Sequence, residues 1–174
     1  AYDGGEHAFQ KRLRNPEEYA KILEETRKEI AVRGGAEAIQ IASVATAEYA
    51  WMAGKKMDEI SQKLNMEVGE AVLHILQHEG PAVVAIYFSI SEDDVIYVMK
   101  NDFHCVCTDG IMGAKPHPRA YGSFTRFLGH YVRDLGVMSL QEAIHHITGE
   151  PARRLRLWDR GLIREGMDAD MVLF

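Results

Sequence analysis

Six apolar residues in a row, Val83-Val84-Ala85-Ile86-Tyr87-Phe88, show no polar alternation. A strand with one wet face alternates, whereas a strand covered on both faces does not, so this run reads as doubly buried, as in a parallel sheet. A second such strand is expected at residues 103–108, closing on Asp109-Gly110. Between the two, Ser91-Glu92-Asp93-Asp94 caps a helix expected to turn Val95, Val98 and Met99 inward. Strand, helix and strand in that order predict α/β architecture with parallel strands. Upstream, Ile39, Ile41 and Ser43 alternate as a shorter strand. Three strands cannot close a (β/α)8 barrel, which takes about 250 residues, and this chain has 174.

Helices are punctuated by their caps. Asn15-Pro16-Glu17-Glu18 opens one, with Tyr19, Ile22, Leu23, Thr26 and Ile30 on its face and Gly34-Gly35 as its stop. Shorter helices are predicted over 58–64 and 67–78. A further helix carries Phe124, Phe127, Leu128, Tyr131, Val132 and Leu135 to Gly136. Ser139-Leu140-Gln141-Glu142 is a capping box for another. Leu162-Ile163 and Met171 to Phe174 read as strands. Ala1 stands in place of a Met and the chain stops inside an apolar run, so it reads as a piece of something longer.

Charge removes several function classes. Lys and Arg number 20 against 26 Asp and Glu, a formal net charge of −6. No basic face offsets this, so a nucleic-acid partner is not expected. No apolar run reaches the roughly 18–20 residues of a membrane span, and the opening residues AYDGGEHAFQKR lack the apolar core of a signal peptide. Two cysteines cannot build a disulfide framework, so a reducing, cytoplasmic setting is expected.

The chemistry-bearing residues gather after the second apolar run. Asp109 sits at a strand end, followed by Gly and an irregular loop, where α/β proteins place ligands; an Asp-Gly turn caps itself with the same residues. His117 between two prolines, then Arg119, bring a His and a guanidinium close in sequence. Arg suits a planar carboxylate, and a rigid surface loop is the alternative. Cys105 and Cys107 fall short of a four-ligand zinc site and are expected to fill core. His74 and His78 have i, i+4 spacing but lack the Glu of the His-Glu-x-x-His pattern. His145-His146 read as a solvated pair or a packed imidazole, and Arg153-Arg154-Leu155-Arg156 as a solvated face.

From Ser91-Glu92-Asp93-Asp94-Val95 through Thr108-Asp109-Gly110 and His117-Pro118-Arg119-Ala120-Tyr121-Gly122, the chain resembles the N-acyl-D-amino-acid deacylases (D-aminoacylases) of the amidohydrolase superfamily. The likeness continues through Thr148-Gly149-Glu150-Pro151-Ala152 and Asp159-Arg160-Gly161-Leu162-Ile163 to Gly166-Met167-Asp168-Ala169-Asp170. The closing pattern Gly161-Leu162-Ile163-Arg164-Glu165-Gly166-Met167-Asp168-Ala169-Asp170 is shared by many amidohydrolases; the Phe88-to-Val95 stretch together with His117-Pro118-Arg119-Ala120-Tyr121-Gly122 is more particular to the D-aminoacylase branch.

The resemblance implies the C-terminal portion of a metal-dependent (β/α)8 barrel, incomplete as an isolated chain. Residues 1–80 would be an insertion before the last barrel strand, 81–158 that strand and its C-terminal helices, and 159–174 the return to a small β-domain. It implies hydrolysis of an N-acyl-D-amino acid by zinc-activated water, with Asp109 as general base and acid, Arg119 on the substrate carboxylate and His117 shaping the loop. The Zn2+ ligands, a Cys and two His, would lie upstream, so this chain is expected to bind no catalytic metal and to be inactive alone. Thr108 stands where the family usually has Ser. Exposed sheet edges would favour self-association. The alternatives are a dihydroorotase-like or hydantoinase-like cyclic amidohydrolase, and a non-catalytic accessory module.

Overall fold

In the computed structural model, which describes residues 3–174, the chain divides into two units. One runs to Ser89 and takes in Ile111–His117; the other comprises Ile90–Gly110 and Pro118–Phe174.

The first unit is built from helices α1 (Gly5–Leu13), α2 (Pro16–Val32), α3 (Met57–Leu64) and α4 (Val68–Glu79) around strands β1 (Ile39–Ser43) and β2 (Val84–Tyr87). Asn15 caps α2 as expected, its side chain accepting from the Glu17 and Glu18 amides. The helix α1 went unread in the sequence because its only apolar pair facing inward, Phe9 and Leu13, is a single i, i+4 step. Those two residues pack with Ile22, Leu23 and Leu73. A second cluster joins Ile39 and Ile41 of β1 to Met52, Met57, Ile60, Ala71 and Ile75.

The sheet departs from expectation. β1 and β2 run antiparallel, with Ile39 opposite Tyr87, Gln40 opposite Ile86 and Ile41 opposite Ala85, then a bulge before Ser43. The opposite edge of β1 is also bonded: the Ile41 amide donates to the Lys55 carbonyl (2.9 Å) and the Gly54 amide donates back to Ile41 (2.7 Å). β2 is not buried on both faces, since Tyr87 and Phe88 are exposed. An unbroken apolar run reports hydrophobicity but not which neighbours exist to cover it. Tyr87 instead receives the Arg33 guanidinium over its ring at 4.3 Å.

A buried carboxylate fixes the turn after β1. Glu79, at the end of α4, accepts from the Ala45 amide (2.5 Å), the Thr46 amide (3.0 Å) and the Thr46 hydroxyl. Burial alone would raise its pKa, but the Thr46 hydroxyl and the two amides outweigh that and hold the carboxyl below its ordinary value.

The second unit holds α5 (Glu92–Met99), α6 (Arg119–Arg126), a wide-turned π-helical stretch Phe127–Asp134 that continues α6, α7 (Leu140–Ile147) and the short α8 (Gly149–Arg154). Ser91 caps α5 and the Ser139/Glu142 capping box opens α7, both as expected. Val98, expected inward, is exposed. Phe127 and Tyr131 are buried. Leu135, expected on the same face, is 50 % exposed, because i→i+5 turns slip the 3.6-residue phase.

Two expected strands are missing. Residues 103–108 form no strand, and Phe103 is exposed; residues 161–174 are also irregular, with Ile163 and Met171 to Phe174 exposed. Strand structure needs a neighbour for its ladder, and among the described residues no strand lies beside either segment. Among the described residues no helix is long and apolar enough to cross a membrane.

Ile60→Ala, at a site with no solvent exposure, is expected to cost about 2–5 kcal/mol in urea unfolding. Val32→Ala, on an exposed face, is expected to stay within about 0.5 kcal/mol. The Glu79 carboxyl is depressed on folding, so its contribution is present above the unfolded value of 4.5 and is lost as pH falls through the folded one. Glu79→Gln should therefore flatten the decline in stability below pH 4.5; an unchanged acid limb would remove Glu79 from the account.

Candidate functional site

Downstream of α5 the chain turns on Asn101, whose side chain accepts from the Phe103 amide (2.9 Å) and whose carbonyl accepts from the His104 amide (2.9 Å). It then runs irregularly to Asp109, whose φ of 43° is left-handed, a conformation that Asp tolerates better than bulkier residues. Gly110 follows for a steric reason. A Cβ there would lie 2.8 Å from the Ala120 Cα and 3.0 Å from its Cβ, so only glycine lets this backbone reach the first turn of α6.

That close approach brings two of the predicted residues together. Arg119, the first residue of α6, places Nη2 3.0 Å from Asp109 Oδ2. The side chains of Asp109 and Arg119 are 76 % and 41 % exposed, so the pair is wet and its carboxylate open to solvent. His117 belongs to the first unit, where it is half-buried. Cys105 is half-buried and Cys107 exposed, both free, which corrects the expectation that they fill core.

Elsewhere in the second unit, polar ties between helices were only partly legible. Glu92 accepts from the Tyr131 hydroxyl (2.7 Å to Oε2, 3.0 Å to Oε1) and from Arg126 (2.8 Å), tying α5 to the α6 region. The Tyr131 hydroxyl, then Arg126, outweigh burial and hold the Glu92 carboxyl below its usual range.

Glu150 was missed. Its side chain is 3 % exposed and takes Arg153 and Arg154, each at 2.7 Å on Oε1, with His145 Nε2 at 3.7 Å. Arg153 and then Arg154 lower its pKa. Arg153 and Arg154, read as a solvated face, are thus counter-ions, and their i+3 and i+4 offsets from Glu150 were the available signal. His146 is the packed member of its pair, buried and 3.2 Å through Nδ1 from His104 Nδ1. Among the described residues, no three His, Cys, Asp or Glu side chains converge as a metal site.

The amidohydrolase family matches residues 2–174. The D-aminoacylase of Alcaligenes xylosoxydans xylosoxydans is 36% identical over 124 residues, 71% of this chain and 25% of that protein. An N-acyl-D-glutamate deacylase from the same organism is 43% identical over 91 residues, 52% of this chain and 19% of that one. Among solved structures, N-acyl-D-glutamate deacylase from Bordetella bronchiseptica, complexed with zinc and a phosphonate inhibitor, superposes with a TM-score of 0.70 at 32% identity, over 78% of this chain and 27% of that one. A D-aminoacylase crystal structure gives 0.66 at 32% identity, over 76% and 27%. The chain therefore spans about a quarter of the length of the relatives it matches.

An ion pair this exposed contributes little to stability. Arg119→Gln and Asp109→Asn are each expected to change the unfolding free energy by less than about 1 kcal/mol; a loss well beyond that in chemical denaturation would make the pair structural instead.

Proposed function

The chain belongs to the amidohydrolase family, and on that premise we propose that the full-length protein hydrolyses the amide bond of N-acyl-D-amino acids, releasing a carboxylate and a free D-amino acid. The observation that carries this reading is the Asp109–Arg119 pair: an exposed carboxylate held 3.0 Å from a guanidinium by a glycine that admits no side chain. The relatives support the substrate class, for they bear the names D-aminoacylase, N-acyl-D-glutamate deacylase and N-acyl-D-aspartate deacylase.

In this reading Asp109 does the proton work. Its carboxylate accepts a proton from the water that attacks the amide carbon, then returns that proton to the departing amine nitrogen as the C–N bond breaks. Arg119 presents a planar fork of N–H donors to the α-carboxylate of the substrate and so orients the scissile bond. His117 shapes the loop that leads to Arg119. In the full-length protein residues 1–80 would act as an insertion, 81–158 would supply the last barrel strand, irregular at 103–108 in this chain, and its helices, and 159–174 would return to the small β-domain.

The described residues do not fit the catalytic zinc that this family reading implies, because no three suitable side chains converge among them. The reading assigns that zinc to residues outside these 174, and no step above passes through it. A cyclic-amide substrate or a non-catalytic module are the competing outcomes.

The test is kinetic, on the full-length protein. Asp109→Asn is expected to lower kcat by about 10²–10⁴-fold with KM little changed, while Arg119→Gln raises KM. N-acyl-D-amino acids should turn over where their L-isomers and a hydantoin do not. Undiminished kcat in the Asp109 variant would sink the proton role, and turnover of the hydantoin alone would move the protein to the cyclic amidohydrolases. The exposed apolar residues of the tail, Ile163, Val172 and Leu173 among them, support self-association of the 174-residue chain; light scattering should then show mass rising with concentration, and a monodisperse monomer would count against it.

A further inference from the structure

Arg119 opens α6 and Arg126 closes it, seven residues on. Seven residues of a straight α-helix return to within about 20° of the starting direction. Both guanidiniums therefore leave one face of α6, about 10.5 Å apart along its axis. Each meets a carboxylate: Glu92, at the start of α5, lies 2.8 Å from Arg126, and Asp109 lies 3.0 Å from Arg119. The segment from Glu92 to Asp109 is thus fastened to one helix face at both ends. Both pairs are wet, and an exposed ion pair alone enforces little.

The firm partner is Tyr131. It is 6% exposed, and its hydroxyl donates to the Glu92 carboxylate, 2.7 Å from Oε2 and 3.0 Å from Oε1. Burial, and next the Glu92 carboxylate, raise the Tyr131 pKa, so the hydroxyl keeps its proton and remains the donor. In a regular α-helix a residue five positions on points about 140° away, which would carry Tyr131 off the Arg126 side. The π-helical stretch Phe127–Asp134 closes wider, i→i+5 turns, and the Tyr131 ring centre comes to 5.3 Å from the Arg126 guanidinium. One carboxylate is then held by both side chains. Such turns are rare and frequently sit at functional sites.

We infer that Glu92 is a positioning residue for Arg119: held by Tyr131 and Arg126, it sets the rotation of α6 about its axis and so the direction in which Arg119 meets the α-carboxylate of the substrate. Gly110 against Ala120 fixes how closely the loop approaches α6; Glu92 fixes how the helix is turned. This role rests on the reading of Arg119 as the carboxylate clamp, and Glu92 acts through the helix alone.

The experiment is steady-state kinetics on the full-length protein with an N-acetyl-D-amino acid. Misplacing a group by about 1 Å costs up to about 10²-fold, so Glu92→Gln is expected to raise KM by about tenfold with kcat little changed. Tyr131→Phe, which removes only the hydroxyl, should do the same. In an Arg119→Gln background Glu92→Gln should raise KM no further, because the side chain it positions is gone. Arg133→Gln, which removes an exposed pair with the adjacent Asp134, should leave both constants unchanged. Crystal structures of the wild-type and Glu92→Gln proteins give the second readout: the Arg119–Asp109 separation, 3.0 Å here, should open beyond hydrogen-bonding distance. Should Arg119→Gln leave KM untouched, the clamp role of Arg119 fails, and the two structures still decide whether Glu92 turns α6. An unmoved Arg119 in the Glu92→Gln protein overturns the assignment. So do KM effects of Glu92→Gln and Arg119→Gln that multiply, or a wild-type KM in Glu92→Gln where Arg119→Gln raises it.

Discussion

A backbone strand has two edges, and every buried N–H and C=O along them must find a partner. β1 meets that condition on both sides, with β2 along one edge and the Gly54–Lys55 backbone along the other. The first unit is arranged around it: Ile39 and Ile41 supply the sheet's share of the core, and α3 and α4 close over them. Residues 103–108, which include His104 and Thr108, lack such a neighbour among the described residues, and they form no strand. The two runs differ in their surroundings as well as in their composition.

This explains what could be read from the chain and what could not. Helix starts were legible because a cap is a local contract between a side chain and an amide two or three residues on; Asn15, Ser91 and Ser139 each make theirs. Strand direction and burial were not legible, because they depend on residues far along the chain: Ile41 is paired with Ala85 and its amide with Lys55. The Asp109–Arg119 pairing was anticipated as a neighbourhood, but the contact itself rests on the absent side chain of Gly110 against Ala120. The His104–His146 contact spans 42 residues and had no sequence signal at all.

Polar groups set the geometry of both units. Glu79 pins the turn after β1, Glu92 ties α5 to the Tyr131 region, and Glu150 is neutralised by two arginines beside α7. Each is a carboxylate with several donors, and each has its pKa held down by them in spite of the cost of burial. For the buried Glu79 and Glu150, deleting the donors would leave a charge without compensation, which is costlier than never having placed it there. The apolar clusters supply adhesion; these carboxylates supply position.

The last stretch of the chain is held differently. Arg160 gathers Asp159, Asp168 and Asp170 at 3.0, 2.6 and 3.4 Å, all of them open to solvent. Around it Leu162, Ile163 and Met171 bury little. Dissolved ions screen exposed charges over a length of about 8–10 Å at ordinary ionic strength and far less in brine. Salt is therefore an agent to which this terminal loop answers.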